Sequence, residues 1–231
     1  MQSLKEYYEM NLYPLQNGVL NCVKSLNLPF YLTGGTALSR GYFNHRYSDD
    51  IDLFTNNNPD FKKNAETILQ NLKAYNFIID SVTIIISQDY ISFYVTHSNF
   101  NDVNLKVDLV NDIAPHFGTI KATPVYYQTD DWYNILINKV TALLRLEIKD
   151  YVDIWIIAKH KPFNWDDIIS KAREKEVGLD PLLCVQMMKT IPFEAYTTIK
   201  WITDYTFEAF TNDMEVIIMD LLKGADNSLY T

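Results

Sequence analysis

The chain has 231 residues, of which 48% are hydrophobic and 14% aromatic, and it carries a formal net charge of −9 at pH 7. That is enough apolar material to bury a core as one large domain or two small ones, and it excludes a disordered chain. The acidity excludes a protein that coats nucleic acid non-specifically, since that needs clustered Lys and Arg against phosphates. It leaves room for an enzyme that grips one nucleic-acid end in a local basic cleft.

Cys22 and Cys184 are far apart and lack metal-type spacing, which predicts two buried thiols in a cytoplasmic chain. The residues from Met1 to Tyr8 show no basic segment followed by an apolar one, so no secretory signal is expected, and no apolar run approaches the length of a membrane span.

Residues 3–26 place Leu4, Tyr7, Tyr8, Leu12, Leu15, Val19, Leu20 and Val23 at roughly helical spacing. Pro14 is expected to divide this helix in two, and Asn27 and Pro29 to end it. Phe30 to Thr33 reads as a short strand stopped by Gly34 and Gly35, and Thr36 to Phe43 has helical composition. Glycines at a strand-to-helix turn let a ligand approach the backbone, and the exposed amides of the following helix suit a phosphate. After a polar turn at His45 to Asp49, Asp50-Ile51-Asp52-Leu53-Phe54 alternates as a strand does, which sets Asp50 and Asp52 on one face. Two such carboxylates repel unless a cation lies between them, and their oxygens are the ligands Mg²⁺ prefers. Alone, Gly-Gly is ordinarily a turn and Asp-x-Asp a solvated strand edge. On consecutive strands of one unit they point together to metal-assisted phosphoryl or nucleotidyl transfer.

Beyond a turn at Asn56 to Asp60, Phe61 to Tyr75 is an amphipathic helix. Phe77 to Ile86 reads as one strand and Tyr90 to Thr96 as its antiparallel neighbour. Leu105 to Val110 is the next strand, with Val107 and Leu109 on one face and Lys106, Asp108 and Val110 on the other. Adjacent strands lie about 4.8 Å apart, close enough for Asp108 to join Asp50 and Asp52. By position alone Asp108 fits a solvent-facing strand residue equally well. Asn111 to Pro124, with two prolines and a glycine, reads as a connection between domains.

Helix dominates the remainder. Asp130-Asp131 begins a helix with an apolar stripe of Trp132, Ile135, Leu136, Val140 and Leu143. Lys139 falls inside that stripe, so it either snorkels to the surface or is delivered to a cleft where an anion awaits it. Asp153 lies in an otherwise apolar run from Tyr151 to Ala158, where an unpaired charge is costly. A Lys149–Asp153 pair at i,i+4 would satisfy it without any function, but leaves Lys139, Arg145 and Asp150 unexplained. Asn164 to Asp167 opens a helix running to about Glu176, Asp180-Pro181 starts another, and a terminal helix runs from Thr203 or Asp204 to Lys223. These last segments carry no chemical motif. None of the four histidines has ligand spacing, and the scattered aromatics suit core packing better than base stacking.

The stretch Gly34-Gly35-Thr36-Ala37-Leu38, followed by Arg46, Ser48, Asp50 and Asp52, resembles the polymerase-beta-like nucleotidyltransferase superfamily and, within it, the AbiEii/AbiGii toxin family. Lys139, Ala142-Leu143, Arg145, Lys149, Asp150 and Asp153 match that family's second anchor in order, and Leu105 to Val110 is similar to the strand that bears its third carboxylate. The resemblance implies an α+β chain: a nucleotidyltransferase domain over 1–120 with a mixed sheet flanked by helices, then a helical domain over 121–231 that contributes Lys139 to Asp153 to the cleft. It implies Mg²⁺ or Mn²⁺ held by Asp50, Asp52 and Asp108, with Lys139 and Asp150 joining them as catalytic residues. Gly34, Gly35, Thr36, Ser39, Arg46, Ser48, Arg145 and Asp153 are the implied nucleotide-binding residues. The implied activity is transfer of a nucleoside monophosphate from a nucleoside triphosphate to an RNA, with tRNA as candidate acceptor. The biological setting would be the toxin of a type IV toxin-antitoxin or abortive-infection pair, with an antitoxin partner and no membrane. The alternatives are nucleotidylation of a small molecule such as an antibiotic, or a non-catalytic nucleotide-binding protein of the same fold.

Overall fold

The structure, a computed structural model, describes residues 2–100 and 103–230, so Met1 and Thr231, which bound the expected domains, lie outside it. It divides into two compact units. One comprises Met1–Tyr42, Tyr47–Ala114 and Thr119–Asp130; the other comprises Phe43–Arg46, Pro115–Gly118 and Asp131–Thr231. Beside a single cut at residue 120, this division places Phe43–Arg46 and Pro115–Gly118 with the helices and residues 121–130 with the sheet.

In the sheet unit the chain starts with α1 (Leu4–Tyr7), where Ser3 and Glu6 form a reciprocal capping box. It winds more loosely as a π turn over Tyr8–Leu12 and resumes as α2 (Tyr13–Ser25). The interruption thus precedes Pro14, which sits in the first turn of α2, where its missing N–H costs nothing. Asn27, with φ of 51°, turns the chain into β1 (Tyr31–Thr33). A short helix α3 (Gly34–Thr36) follows and continues as a π-wound turn, Ala37–Phe43. Next come β2 (Ile51–Asn56) and α4 (Phe61–Ala74), which packs on α2.

The expected strand Phe77 to Ile86 is two strands, β3 (Ile78–Ile79) and β4 (Ile85–Ile86). The Asp80 carboxylate accepts from the Val82 N–H and the Thr83 hydroxyl, both at 2.9 Å, and closes a turn that ends the ladder between them. Both strands pair with β5 (Tyr90–Thr96), which pairs with β6 (Leu105–Asp112). Among the described residues the sheet runs β1-β2-β6-β5-β3, with β4 also on β5; β2 and β6 are parallel and every other pairing is antiparallel. Ile51, Leu53, Phe93, Val95, Leu105, Val107 and Leu109 point into the core of this unit with Val19, Val23, Ile68 and Leu72.

In the helical unit, α5 (Trp132–Thr141) is capped by the Asp131 side chain and passes through a 3₁₀ turn, Ala142–Arg145, to α6 (Ile148–His160). Every residue from Tyr151 to Ala158 is buried, as expected of a helix apolar on all sides that packs against α5 and α10. Then follow α7 (Trp165–Lys175), α8 (Pro181–Met188), α9 (Phe193–Thr197) and α10 (Phe207–Lys223). The last helix starts later than its composition predicts, because Thr206, whose hydroxyl accepts from the Ala209 N–H, is its cap. Trp155 gathers Trp201, Tyr205 and Phe210 edge-on, with Trp155 and Phe210 in the core and Trp201 and Tyr205 half-buried beside them. Cys22 and Cys184 are free and buried, and burial pushes each thiol up to about 11. Among the described residues no helix is long and apolar enough to cross a membrane.

One side chain of α2 fixes the approach to β2. Gln16 is fully buried, and its amide donates to the carbonyls of Ser48 and Asp49 at 3.0 and 3.1 Å. Gln16→Ala leaves both without that donor and is expected to lower stability by about 1–3 kcal/mol, read as a shift of the urea-unfolding midpoint.

Candidate active site

The parallel ladder between β2 and β6 places Asp52 directly beside Asp108. The antiparallel ladders on either side set Thr33 opposite Asp52 and Ser92 opposite Asp108, so one polar row, Thr33-Asp52-Asp108-Ser92, crosses four strands. Both aspartates are half-buried, and so is Asp50, one residue ahead of β2. The Asp108 carboxylate accepts from Ser92 Oγ at 2.6 Å and Tyr90 OH at 3.2 Å on Oδ1, and from Lys106 Nζ at 2.6 Å on Oδ2. Thr33 donates to Asp130 Oδ2 at 2.6 Å, adding a further buried carboxylate beside the end of the row.

Gly34 stands at the head of this row. Its φ of +67° is one that L side chains rarely adopt, and a Cβ built on it would lie 2.2 Å from Asp52 Oδ2. The carboxylate therefore sits over the glycine in space that any side chain would fill. Gly35 follows it, half-buried. The Thr36 hydroxyl, fully buried, donates to the Asp50 carbonyl, so this side chain is spent on holding the lead-in to β2. Ser39 and Ser48 are buried, and the Ser48 carbonyl is bound by Gln16.

The three carboxylates offer oxygen donors without nitrogen or sulfur, which suits a hard cation such as Mg²⁺, and the bare glycine lets the Asp52 carboxylate lie against the backbone. As the side chains stand, no three His, Cys, Asp or Glu groups among the described residues are gathered to hold an ion.

The other predicted residues lie in the helical unit, and all but Arg145 form a second charged group. Arg46 forks onto Asp153, Nε to Oδ1 and Nη2 to Oδ2, both at 2.8 Å. Lys139 Nζ lies 2.6 Å from Asp150 Oδ1 and 2.8 Å from Asp153 Oδ2, and His45 Nε2 lies 2.9 Å from Asp153 Oδ1. Asp153 is wholly enclosed and its partners are Arg46, Lys139 and His45, whereas Lys149, the neighbour at i,i+4 that could have satisfied it without any function, is exposed. Arg145 is exposed at the end of its 3₁₀ turn. Burial alone would raise the Asp153 carboxyl, but Arg46, Lys139 and the His45 hydrogen bond outweigh it and hold the group well below its ordinary range. Burial likewise opposes charge on Lys139, which Asp153 and Asp150 more than restore, leaving its pKa raised. His45 goes the other way: burial outweighs Asp153 and lowers its pKa, so the ring is neutral, donates through Nε2 and leaves Nδ1 without a partner. Sequence spacing gave no sign of His45, of Gln16, or of the Tyr90 and Ser92 hydroxyls on Asp108.

Residues 19–188 match the Nucleotidyl transferase AbiEii toxin family, described as a type IV toxin-antitoxin system. The chain belongs to this family. As an AbiEii-family nucleotidyltransferase it shares its fold with solved structures of low sequence identity. JHP933 from Helicobacter pylori is 19% identical with a TM-score of 0.55, covering 91% of this chain and 94% of that one. A protein described as a nucleotidyltransferase from H. pylori is 20% identical with a TM-score of 0.57, covering 91% and 96%. MenT4, a nucleotidyltransferase toxin from Mycobacterium tuberculosis, is 13% identical with a TM-score of 0.57, covering 91% and 82%. No protein of curated function matches the sequence.

Two outcomes are expected of the AbiEii-family site. Gly34→Ala forces the Asp52 carboxylate aside, and a displacement of about 1 Å costs on the order of 100-fold in rate. Nucleotide transfer by that variant should fall accordingly while its near-UV circular dichroism stays native. Asp153→Ala strands Arg46 and Lys139 in a buried site and should cost about 3–5 kcal/mol of stability, measured by urea unfolding. The pH sense follows from the depressed carboxyl: the Asp153 contribution is present above the ordinary Asp value of 3.8 and is lost as pH falls through the lower folded value.

Proposed function

We propose that this AbiEii-family enzyme transfers a nucleoside monophosphate from a nucleoside triphosphate to a hydroxyl of an RNA, with tRNA as the favoured acceptor, and that it acts as a cytoplasmic toxin restrained by a cognate antitoxin in abortive infection. The observation that carries the chemistry is the register that sets Asp52 beside Asp108, with Gly34 bare beneath the Asp52 carboxylate. Asp50, Asp52 and Asp108 would hold Mg²⁺ or Mn²⁺, which when bound neutralises phosphate charge and acts as a Lewis acid. The acceptor hydroxyl attacks the α-phosphorus, a new oxygen–phosphorus bond forms, the bond to the bridging oxygen breaks and pyrophosphate leaves. In this reading Asp108 accepts the hydroxyl proton, while the Ser92 and Tyr90 hydroxyls fix its carboxylate.

Gly34 and Gly35 bring the backbone close to the phosphates, and Thr36 keeps Asp50 in place through its carbonyl. Ser39 and Ser48 remain assigned to the nucleotide side by the family likeness, as does Arg145. Lys139 is assigned the triphosphate, with Asp150 and Asp153 holding it charged.

Purified enzyme incubated with each labelled triphosphate, Mg²⁺ and total RNA is expected to place label in RNA. Label appearing only in an added aminoglycoside identifies a small-molecule acceptor, and bound triphosphate without transfer identifies a non-catalytic protein. Asp50→Asn and Asp52→Asn are each expected to reduce transfer by on the order of 100-fold or more with an unchanged melting profile. Transfer at the parent rate by either folded variant removes the metal assignment.

A further inference from the structure

Lys106 lies on the same face of β6 as Asp108, because that strand alternates buried and half-buried residues from Leu105 to Asp112. A lysine at such a position ordinarily extends into solvent, where its ammonium is strongly hydrated. Here its chain folds back along the strand: Nζ lies 2.6 Å from Asp108 Oδ2, with side-chain exposures of 31% and 14%. The ammonium also feels Asp50 and the Tyr90 hydroxyl. Burial opposes its charge, and the Asp108 hydrogen bond and charge, with Tyr90 and Asp50, overcome that and raise its pKa. A cationic head thus already stands among the carboxylates that the register brings together, and it takes the oxygen of Asp108 that Ser92 and Tyr90 leave open.

We propose that Lys106 is the internal counter-cation of this acidic face, and that its ammonium and a divalent cation compete for Asp108 Oδ2. The inference rests on the metal-binding reading of Asp50, Asp52 and Asp108. Lys106 is a positioning residue. Before metal binds it holds Asp108 in place through Oδ2, and metal must displace it. The half-exposed setting makes this exchange cheap, because the displaced ammonium swings into water and loses no enclosed partner.

The test is Mn²⁺ titration of the full-length protein followed by electron paramagnetic resonance, with Mn²⁺ alone as probe and no turnover required. Lys106→Met removes the competitor and should tighten Mn²⁺ binding at least about fivefold, the lower end of ordinary coupling between two binding events. Lys106→Arg keeps a cation at the same reach and should stay within about twofold of the parent, which distinguishes competition from a loss of local structure. Unchanged or weaker Mn²⁺ binding by a natively folded Lys106→Met overturns the inference. Asp108→Asn separates the two readings. If it loses Mn²⁺ while Lys106→Met is unchanged, the metal reading stands and the lysine inference falls. If the parent binds no Mn²⁺, or Asp108→Asn binds it equally well, both fall.

Discussion

The parallel pairing of β2 with β6 is the constraint on which the sheet unit's chemistry depends. Side chains alternate along a strand, so sliding β6 by one residue would turn Asp108 into the core and bring Val107 out in its place. That slip is blocked on both sides of the carboxylate: Val107 and Leu109 are wholly buried, and the flanking ladder to β5 holds Ser92 opposite Asp108. The hydrophobic alternation of an ordinary strand thereby fixes the position of a charge. Because the neighbouring strand carries Asp52 at the paired position, the register that gives the sheet its core also creates an electrostatic problem on the other face. Lys106 and the two hydroxyls on Asp108 are the chain's own answer to it.

The helical unit handles charge by enclosure. Asp153 is fully buried in a helix otherwise apolar from Tyr151 to Ala158, a placement that desolvation alone would forbid. It survives because Arg46 binds both oxygens in a fork, Lys139 reaches Oδ2 and the neutral His45 donates to Oδ1. Lys139 in turn is shared with Asp150, so each cation and each carboxylate of the group is matched. Removing any one charged member leaves a buried excess of the opposite charge, which is why these positions behave as a unit and not as separate contacts.

Much of this was legible in the sequence, for identifiable reasons. Period-two alternation exposed β5 and β6, cap residues Asn164 and Asp180 marked the starts of α7 and α8, and the glycine pair followed by Asp-x-Asp marked the acidic face. The uninterrupted Ile- and Val-rich run from Phe77 to Ile86 misled, because the turn in its middle is made by one side chain, Asp80, closing on residues two and three positions ahead. Asp153 was recognisable as a charge needing a partner, but the nearest candidate in sequence, Lys149, was the wrong one. Its true partners come from positions 45, 46 and 139, and no periodicity connects residues so far apart. His45 and Gln16 were invisible for the same reason: their roles exist only in tertiary contacts.

Two lysines near aspartates thus have different physics despite similar short distances. Lys139 is buried between two carboxylates, with only 13% of its side chain exposed, and leaving them would abandon two charges in a medium that cannot solvate them. Lys106 has one carboxylate partner at hydrogen-bonding distance and a 31% exposed chain, so water can take over its ammonium as soon as a better cation claims Asp108. Depth of burial, not bond length, therefore sorts the fixed cation from the exchangeable one. By the same criterion the pair on the sheet is suited to exchanging its cation, while the group around Asp153 is suited to holding its members in one arrangement.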